Sequence, residues 1–189
     1  MKRNQMFLNR LLFRNWSLKE ITRRQFQTKF PALAKVGDRL PSVVLFEDSP
    51  DNAVNIQELT SNKMVIIFGV SGAFTPCCSK VHLAGFLVSA NQLKNLLHIR
   101  EIICISVNDP FVMSAWGAKH NTVRRVRMLA DSRGDFTKTM DLAIHLPGLG
   151  GLRSKRFSML VGDTKILELN VEPDGTGLSC SLAQNMLEI

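Results

Sequence analysis

Two adjacent cysteines, Cys77 and Cys78, follow a turn that joins an apolar segment to a helical segment. Thr75 is a favourable N-cap residue and Pro76 a favourable first helical residue, so we expect a helix to begin here. The thiols would then lie in the first helical turn, where unpaired N–H groups and the helix dipole favour negative charge. A thiol in this position is shifted toward the thiolate, its nucleophilic form. We therefore predict that Cys78 is a reactive cysteine.

The alternative interpretation is that these thiols are buried packing residues. Free cysteine is among the most buried residue types and often only packs. Four cysteines in a chain of 189 residues, with no secretory signal, do not form the disulfide framework of a small secreted protein. Cys104 lies in the middle of an apolar segment, and we expect it to be a packing residue.

Other cysteine chemistry fits the spacing less well. Disulfide reductases and isomerases use a Cys-x-x-Cys motif, which this chain lacks. A zinc site built from Cys77, Cys78 and His82 would lack a complete four-ligand spacing. We accordingly expect neither a metal nor a cofactor.

The elements around the cysteines predict an α/β protein. Met64–Val70 is continuously apolar, as is typical of a central strand buried on both faces. The segment Lys80–Leu97 has apolar residues every three or four positions, which indicates a helix. Further strands are predicted at Pro41–Phe46, Glu101–Val107, Val126–Ala130, Arg156–Val161 and Ile166–Val171, and further helices at Phe111–Lys119, at Gly134–Leu142 and from a cap at Ser179 onward.

Strands that alternate with helices and end in a hairpin indicate a thioredoxin-like fold, with a central mixed β-sheet flanked by helices. The predicted loop Leu146–Gly151 precedes that hairpin. The turn that carries the cysteines lies at the C-terminal end of the central strand, where α/β sheets place ligands.

Charge divides the chain into two parts. Residues 1–35 hold nine basic residues and one acidic residue, whereas residues 36–189 hold fifteen of each. An Arg-rich, acid-poor segment with interspersed apolar residues is typical of a mitochondrial transit peptide, and a disordered basic arm is the alternative. We expect a transit peptide over residues 1–34 and one domain over residues 35–189. The location would be mitochondrial, in the matrix, with a cytoplasmic pool as an open alternative.

The neutral remainder gives no argument for nucleic-acid binding. No apolar run approaches the roughly 20 residues that a membrane span requires. We therefore expect neither nucleic acid nor membrane as a partner.

The stretch Phe68–Lys80 resembles the peroxidatic-cysteine loop of peroxiredoxins, and more narrowly that of the atypical two-cysteine (peroxiredoxin-5) type. Four other segments agree: Val107–Asp109, Arg127–Asp131, Lys155–Met159 and Leu169–Ser181. The resemblance extends from about Lys35 to the C-terminus. It implies a thiol peroxidase that reduces hydrogen peroxide and organic hydroperoxides, as a monomer or homodimer.

The resemblance also implies a role for individual residues. Cys78 matches the peroxidatic cysteine, whose thiolate attacks the O–O bond and becomes a sulfenic acid. Thr75 would orient the thiolate and the peroxide, and Arg156 would stabilise the thiolate and polarise the peroxide. Cys180 matches the resolving cysteine, which would form an intramolecular disulfide with Cys78 that thioredoxin then reduces.

Two positions depart from the family pattern. Ser71 stands where the family has proline, and Cys77 stands where it has glycine. Adjacent cysteines bond only in a strained ring, so a Cys77–Cys180 disulfide is a more credible side product than Cys77–Cys78. These departures motivate a second hypothesis, a paralogue with weakened activity that acts as a redox sensor or a binding protein.

Overall fold

The structure is a computed structural model that describes residues 34–189. Apart from Ala34, the expected transit peptide lies outside the described residues and stays a prediction. The strands are β1 (Val44–Glu47), β2 (Ala53–Asn55), β3 (Met64–Val70), β4 (Glu101–Ser106), β5 (Arg127–Ala130), β6 (Ala143–Leu146), β7 (Gly151–Ser154), β8 (Phe157–Gly162) and β9 (Lys165–Val171). The helices are α1 (Ile56–Thr60), α2 (Ala84–Leu96), α3 (Pro110–Lys119), α4 (Asp135–Thr139) and α5 (Ala183–Leu187). In this part of the chain no helix has the length and apolarity needed to cross a membrane.

A mixed sheet forms the centre of the described residues. Its seven strands have the order β2-β1-β5-β4-β3-β8-β9. Strands β3, β4 and β5 are parallel to one another, whereas β8 is antiparallel to β3. Strands β6 and β7 form a separate two-stranded hairpin. The predicted thioredoxin-like fold, with a central mixed sheet flanked by helices, is confirmed.

Hydrophobic residues are buried on both faces of the sheet, and successive residues of β3 alternate between the two faces. Ile66, Phe68 and Val70 belong to a cluster that also holds buried residues of α2, α3 and α5. Val65 and Ile67 belong to a second cluster with residues of α1 and α4. Burial on both faces explains why β3 is continuously apolar, and it confirms the prediction of a central strand.

One glycine of β3 is required by the packing of the neighbouring strand. A Cβ atom at Gly69 would lie 2.0 Å from the ring of Phe157, its partner on β8. No side chain larger than hydrogen fits there without displacing that buried ring. The close approach holds β8 against β3, and Arg156 immediately precedes β8.

A π-helical segment, Cys78–Leu83, continues directly into α2. Such segments are uncommon and are frequent at functional sites. The predicted helix Lys80–Leu97 therefore corresponds to the end of this π-helical segment followed by α2. Helical structure begins earlier than Lys80, at Pro76.

Two local predictions need correction, and a third gains a strand on each side. The last helix does not begin at a Ser179 cap: α5 begins at Ala183, and the Ser179 hydroxyl donates to the carboxylate of Glu172 instead. Cys180 therefore lies in an irregular segment and not at a helix start. The predicted loop Leu146–Gly151 is the turn of the β6–β7 hairpin, in which Gly150 has a φ of 90°. Helix α4 is also shorter than predicted, since it ends at Thr139.

Candidate active site

The turn between β3 and the π-helical segment is fixed by hydrogen bonds from two neighbouring elements. The N–H of Ala73 donates to Oδ1 of Asn108 (3.1 Å), and Ser106 Oγ donates to the same oxygen (2.8 Å). Further along, the indole nitrogen of Trp116 on α3 donates to Ser79 Oγ (3.0 Å). These contacts hold the start of the helical segment in place at the C-terminal end of β3.

Thr75 occupies the position before the first helical residue, as predicted. Its carbonyl oxygen accepts the N–H of Ser79 at 3.0 Å, the first helical hydrogen bond. The hydroxyl does not act as a cap, because it donates to the carbonyl oxygen of Gly72 (2.9 Å). A hydrogen bond from this hydroxyl to the sulfur is also one of the causes that lower the pKa of Cys78. Since it has one proton, we expect that proton to turn from Gly72 to the sulfur when the thiolate forms.

Cys78 is fully buried, with an exposed fraction of 0%. Its Sγ lies 3.4 Å from Nη1 of Arg156 and 3.7 Å from Oγ of Ser71. Burial alone would raise the pKa of the thiol. The pKa is nevertheless lowered, because the Thr75 hydrogen bond, the Arg156 charge, the Gly72 backbone and the Ser71 hydroxyl together outweigh burial. The structure thus brings together Cys78, Thr75 and Arg156, as the sequence predicted.

Arg156 is a buried cation, with an exposed fraction of 2%. Its Nε donates to the carbonyl oxygen of Thr176 (3.1 Å), and Nη1 contacts both Cys78 and Nδ1 of His82 (3.3 Å). A buried charge is costly unless an opposite charge and hydrogen bonds compensate it. The Cys78 thiolate is the anion closest at hand, so thiol and guanidinium stabilise each other's charged forms.

The sequence suggested His82 only as a possible zinc ligand, and it did not predict the contact between His82 and Arg156. The imidazole is fully buried, and its Nε2 lies 2.9 Å from the carbonyl oxygen of Ser181. Burial is the main cause that lowers the pKa of His82 to about 4, and the Arg156 charge acts in the same direction. The spacing from Cys78 to His82, four residues in a helical segment, was the available signal that both share one face.

Glu172 is a second residue that sequence reasoning did not single out. Its carboxylate accepts five hydrogen bonds from residues 179–181, from three backbone N–H groups and two hydroxyls. Burial opposes ionisation, but the hydrogen bonds from Ser179 and Ser181 lower the pKa of Glu172 to about 2. The segment that carries Cys180 is therefore wrapped around one carboxylate.

Cys180 differs from Cys78 in every respect that controls thiol reactivity. It is partly exposed, and the four cysteines are unpaired in this structure. Burial and the negative charge of Glu172 raise the pKa of Cys180. Cys180 therefore belongs to a separate, hydrogen-bonded segment, so the predicted Cys78–Cys180 disulfide requires movement.

The remaining two cysteines, Cys104 and Cys77, differ in burial. Cys104 is fully buried on β4, and burial raises its pKa well above the ordinary value, in keeping with the expected packing role. Cys77 is exposed. Over residues 34–189, no three His, Cys, Asp or Glu side chains are grouped so that they could hold a metal ion. Two of the three zinc ligands considered from sequence, Cys78 and His82, instead contact the Arg156 cation.

Comparisons with known proteins agree with this arrangement. The family model described as Redoxin matches residues 35–187. Peroxiredoxin-2D of Arabidopsis thaliana is 41% identical over 157 residues, which cover 81% of this chain and 96% of that protein. The chain belongs to the peroxiredoxin family. Peroxiredoxins are peroxidase oxidoreductases, so the protein is an enzyme of that class.

Solved peroxiredoxin structures share the fold. Reduced Prx3 of Vibrio vulnificus, in complex with hydrogen peroxide, is 38% identical with a TM-score of 0.77, and the match covers 82% of this chain and 98% of that one. Peroxiredoxin 5 of Alvinella pompejana is 37% identical with a TM-score of 0.71, covering 82% and 99%. The relatives of this peroxiredoxin carry the names of several types, so they define the family rather than the type.

Proposed function

We propose that this peroxiredoxin reduces hydrogen peroxide and organic hydroperoxides through Cys78. One observation carries the proposal: a buried thiol of lowered pKa lies 3.4 Å from a buried guanidinium. A fixed cation favours the thiolate before substrate arrives, and it then faces the negative charge that develops on the departing oxygen. Burial excludes water, which strengthens both effects.

The first step is a two-electron oxidation of sulfur. The Cys78 thiolate attacks one peroxide oxygen, the O–O bond breaks, and the other oxygen leaves as hydroxide or alkoxide and takes up a proton. Cys78 becomes a sulfenic acid. The Thr75 hydroxyl would contact both thiolate and peroxide, and backbone N–H groups of the first helical turn would bind a peroxide oxygen.

The second step would join Cys78 to Cys180. The Cys180 thiol loses its proton, its thiolate attacks the sulfenic sulfur, and the S–O bond breaks as the disulfide forms; hydroxide leaves and takes up a proton to become water. A disulfide needs an S–S distance of about 2.05 Å, so the segment held by Glu172 must detach before the bond can form. Thioredoxin, a dithiol reductant, would then reduce the Cys78–Cys180 disulfide and become oxidised itself.

The test is peroxide consumption with thioredoxin, thioredoxin reductase and NADPH. We expect turnover for the wild type, none for Cys78→Ser, and a single turnover for Cys180→Ser. If the wild type consumes peroxide no faster than Cys78→Ser, the peroxidase proposal fails. A mass map under non-reducing conditions that lacks the Cys78–Cys180 disulfide would remove the resolving role and leave the first step intact.

A second candidate is a peroxiredoxin of weakened activity that acts as a redox sensor or binding protein. The observation that favours it is the exposed thiol of Cys77 next to the buried Cys78. Under this candidate, oxidised protein would contain a Cys77–Cys180 disulfide, and Cys77→Gly would increase peroxide turnover. If Cys77→Gly leaves both turnover and the disulfide map unchanged, this candidate is contradicted.

The narrower type, location and assembly are further proposals. The segment Leu169–Ser181 and the distant Cys180 favour the atypical two-cysteine type, peroxiredoxin-5. The basic, acid-poor N-terminus favours mitochondrial import, with a cytoplasmic pool as the alternative. The mature protein should then begin between about residues 20 and 36, whereas an intact Met1 would count against import. Light scattering of the reduced protein should give a monomer or a homodimer.

A further inference from the structure

The steps above do not use the buried imidazole of His82. His82 is fully buried, and its ring packs edge-on against Phe68 and Phe86, with centroid distances of 5.2 and 5.5 Å. Both ring nitrogens nevertheless have polar partners, Arg156 on one side and the Ser181 carbonyl on the other. The imidazole therefore lies directly between the Cys78 site and the segment that carries Cys180.

The partners determine which nitrogen of His82 carries the proton. Nη1 of Arg156 has only protons to offer, so Nδ1 of the imidazole must accept. The carbonyl oxygen of Ser181 has only lone pairs to offer, so Nε2 must donate. The ring is thus neutral with its proton on Nε2, and a second proton on Nδ1 would face the guanidinium.

The same nitrogen of Arg156 serves both neighbours. Nη1 has two protons, of which one is directed to Cys78 Sγ at 3.4 Å and the other to His82 Nδ1 at 3.3 Å. A third contact, from Nε to the Thr176 carbonyl oxygen, fixes the other end of the guanidinium. Removing the Nδ1 acceptor would remove one of the contacts that hold Nη1 beside the sulfur.

The opposite side of the imidazole holds a different segment. Residues 179–181 are fixed on one side by Glu172 and, through the Ser181 carbonyl, by His82 on the other. Because Cys180 lies inside this doubly anchored segment, we expect both anchors to release when Cys180 joins Cys78. Of these two anchors, His82 is the one that also contacts the guanidinium of Arg156, which lies beside Cys78 Sγ.

We propose that His82 is a positioning residue with two separable tasks: it holds Arg156 against Cys78, and it holds the Cys180 segment in its reduced place. The second task rests on the proposed role of Cys180 in resolution, whereas the first does not. The hydrogen bond to Ser181 thus restrains the resolving segment while Cys78 is still a thiolate.

Two amide variants separate the tasks. The side-chain oxygen of asparagine can replace Nδ1, so His82→Asn keeps an acceptor for Arg156 and loses the donor to Ser181. The longer amide of glutamine can replace Nε2, so His82→Gln keeps the donor and loses the acceptor. His82→Phe loses both while preserving the aromatic packing against Phe68 and Phe86.

Each of the two positioning tasks of His82 can be measured without peroxidase activity. The first measurement is the pKa of Cys78, from the pH dependence of alkylation with mass mapping of each cysteine. The second is hydrogen exchange of the amides of residues 179–181, with the alkylation rate of Cys180. We expect His82→Gln to raise the Cys78 pKa by about one unit with little change in exchange. We expect His82→Asn to speed exchange by about tenfold with little change in that pKa.

His82→Phe should show both changes, and a general loss of stability would not separate them in this way. The proposal is overturned if His82→Asn and His82→Gln change both readouts equally, or if neither readout moves in any variant. Activity distinguishes this failure from that of the proposed function. An inactive wild type with separable readouts would refute the peroxidase proposal only, and an active wild type with unchanged readouts would refute the positioning role only.

Discussion

Cys78 and Cys180 lie beside charged groups of opposite sign. Cys78 is buried beside the Arg156 cation and has a lowered pKa, whereas Cys180 is partly exposed beside the Glu172 anion and has a raised pKa. The Cys78 site is ready for nucleophilic attack in the folded state. The Cys180 segment is held by Glu172, whose negative charge disfavours the Cys180 thiolate.

This difference means that the two thiols of the reduced protein differ in how readily they form a thiolate. The cation and the hydroxyl donors favour the thiolate of Cys78. A carboxylate with five hydrogen bonds stabilises the other segment, and it disfavours a second thiolate. Substitutions in the two regions should therefore act on the two thiols separately.

Arg156 should have the largest effect. Arg156→Gln removes the cation at the sulfur, so the pKa of Cys78 should rise and kcat/KM for peroxide should fall by roughly a hundredfold or more. Steady-state turnover and pH-dependent alkylation measure the two quantities. Arg100→Gln, which removes an exposed cation next to the opposite end of β3, is the control. Equal losses in both variants would contradict a specific role for Arg156.

Glu172 should affect the other thiol. Glu172→Gln removes the charge that holds residues 179–181, so the free energy of unfolding should fall by on the order of 1–3 kcal/mol. The pKa of Cys180 should fall toward its ordinary value, while that of Cys78 stays nearly constant. Denaturant unfolding and alkylation measure these changes, and Glu168→Gln on the half-buried part of β9 is the matched control. A Cys180 pKa that does not move would contradict the account.

Acid should lower the stability of the fold through His82 and then through Glu172, in two adjoining pH ranges. His82 has a pKa of about 4 when folded, against 6.5 as the reference value, so the unfolded chain binds the extra proton between them. Stability should therefore fall as the pH decreases from about 6.5 to about 4. Glu172, with a pKa of about 2 against 4.5, should lose its contribution as the pH falls from about 4.5 to about 2.

Denaturant titrations across pH 2–7 test both ranges. His82→Asn should flatten the upper part of the curve and leave the lower part, whereas Glu172→Gln should do the reverse. A wild-type stability that is constant between pH 6.5 and pH 4 would contradict the neutral, buried state of His82.

Ser71 should have the smallest effect. Its Oγ lies 3.7 Å from Cys78 Sγ, a long and weak hydrogen bond. Ser71→Ala should raise the pKa of Cys78 by about half a unit and lower the rate of peroxide reduction about threefold at neutral pH. Ser71→Pro also lacks the hydroxyl and tests whether the residue that the family has at this position compensates for its loss. If Ser71→Ala lowers the pKa, the hydroxyl does not stabilise the thiolate.

Local pattern was sufficient for much of the fold. Met64–Val70 was predicted with its observed bounds, because a continuous apolar run is the direct consequence of burial on both faces. The predicted helix Phe111–Lys119 is α3, which begins one residue earlier at Pro110, because the Asp109 carboxylate caps it by accepting the N–H of Val112 (3.0 Å). In these places the signal and the structure both depend on neighbours in sequence.

The features that the sequence did not predict depend on contacts between residues far apart in the chain. Ser179 is a favourable N-cap residue by type, yet its hydroxyl binds the carboxylate of Glu172, seven residues earlier. The spacing from Cys78 placed His82 on the same face of the helical segment, but its partner at Ser181 is 99 residues away. Such contacts depend on how distant segments pack, which no local spacing specifies.

The central claim is that their surroundings drive the pKa values of Cys78 and Cys180 apart. The most direct test is alkylation of the fully reduced wild type from pH 5 to pH 10, with each cysteine quantified by mass spectrometry. The account predicts a Cys78 pKa below, and a Cys180 pKa above, the ordinary value of about 8.5. Equal values, or a Cys180 pKa below that of Cys78, would contradict it.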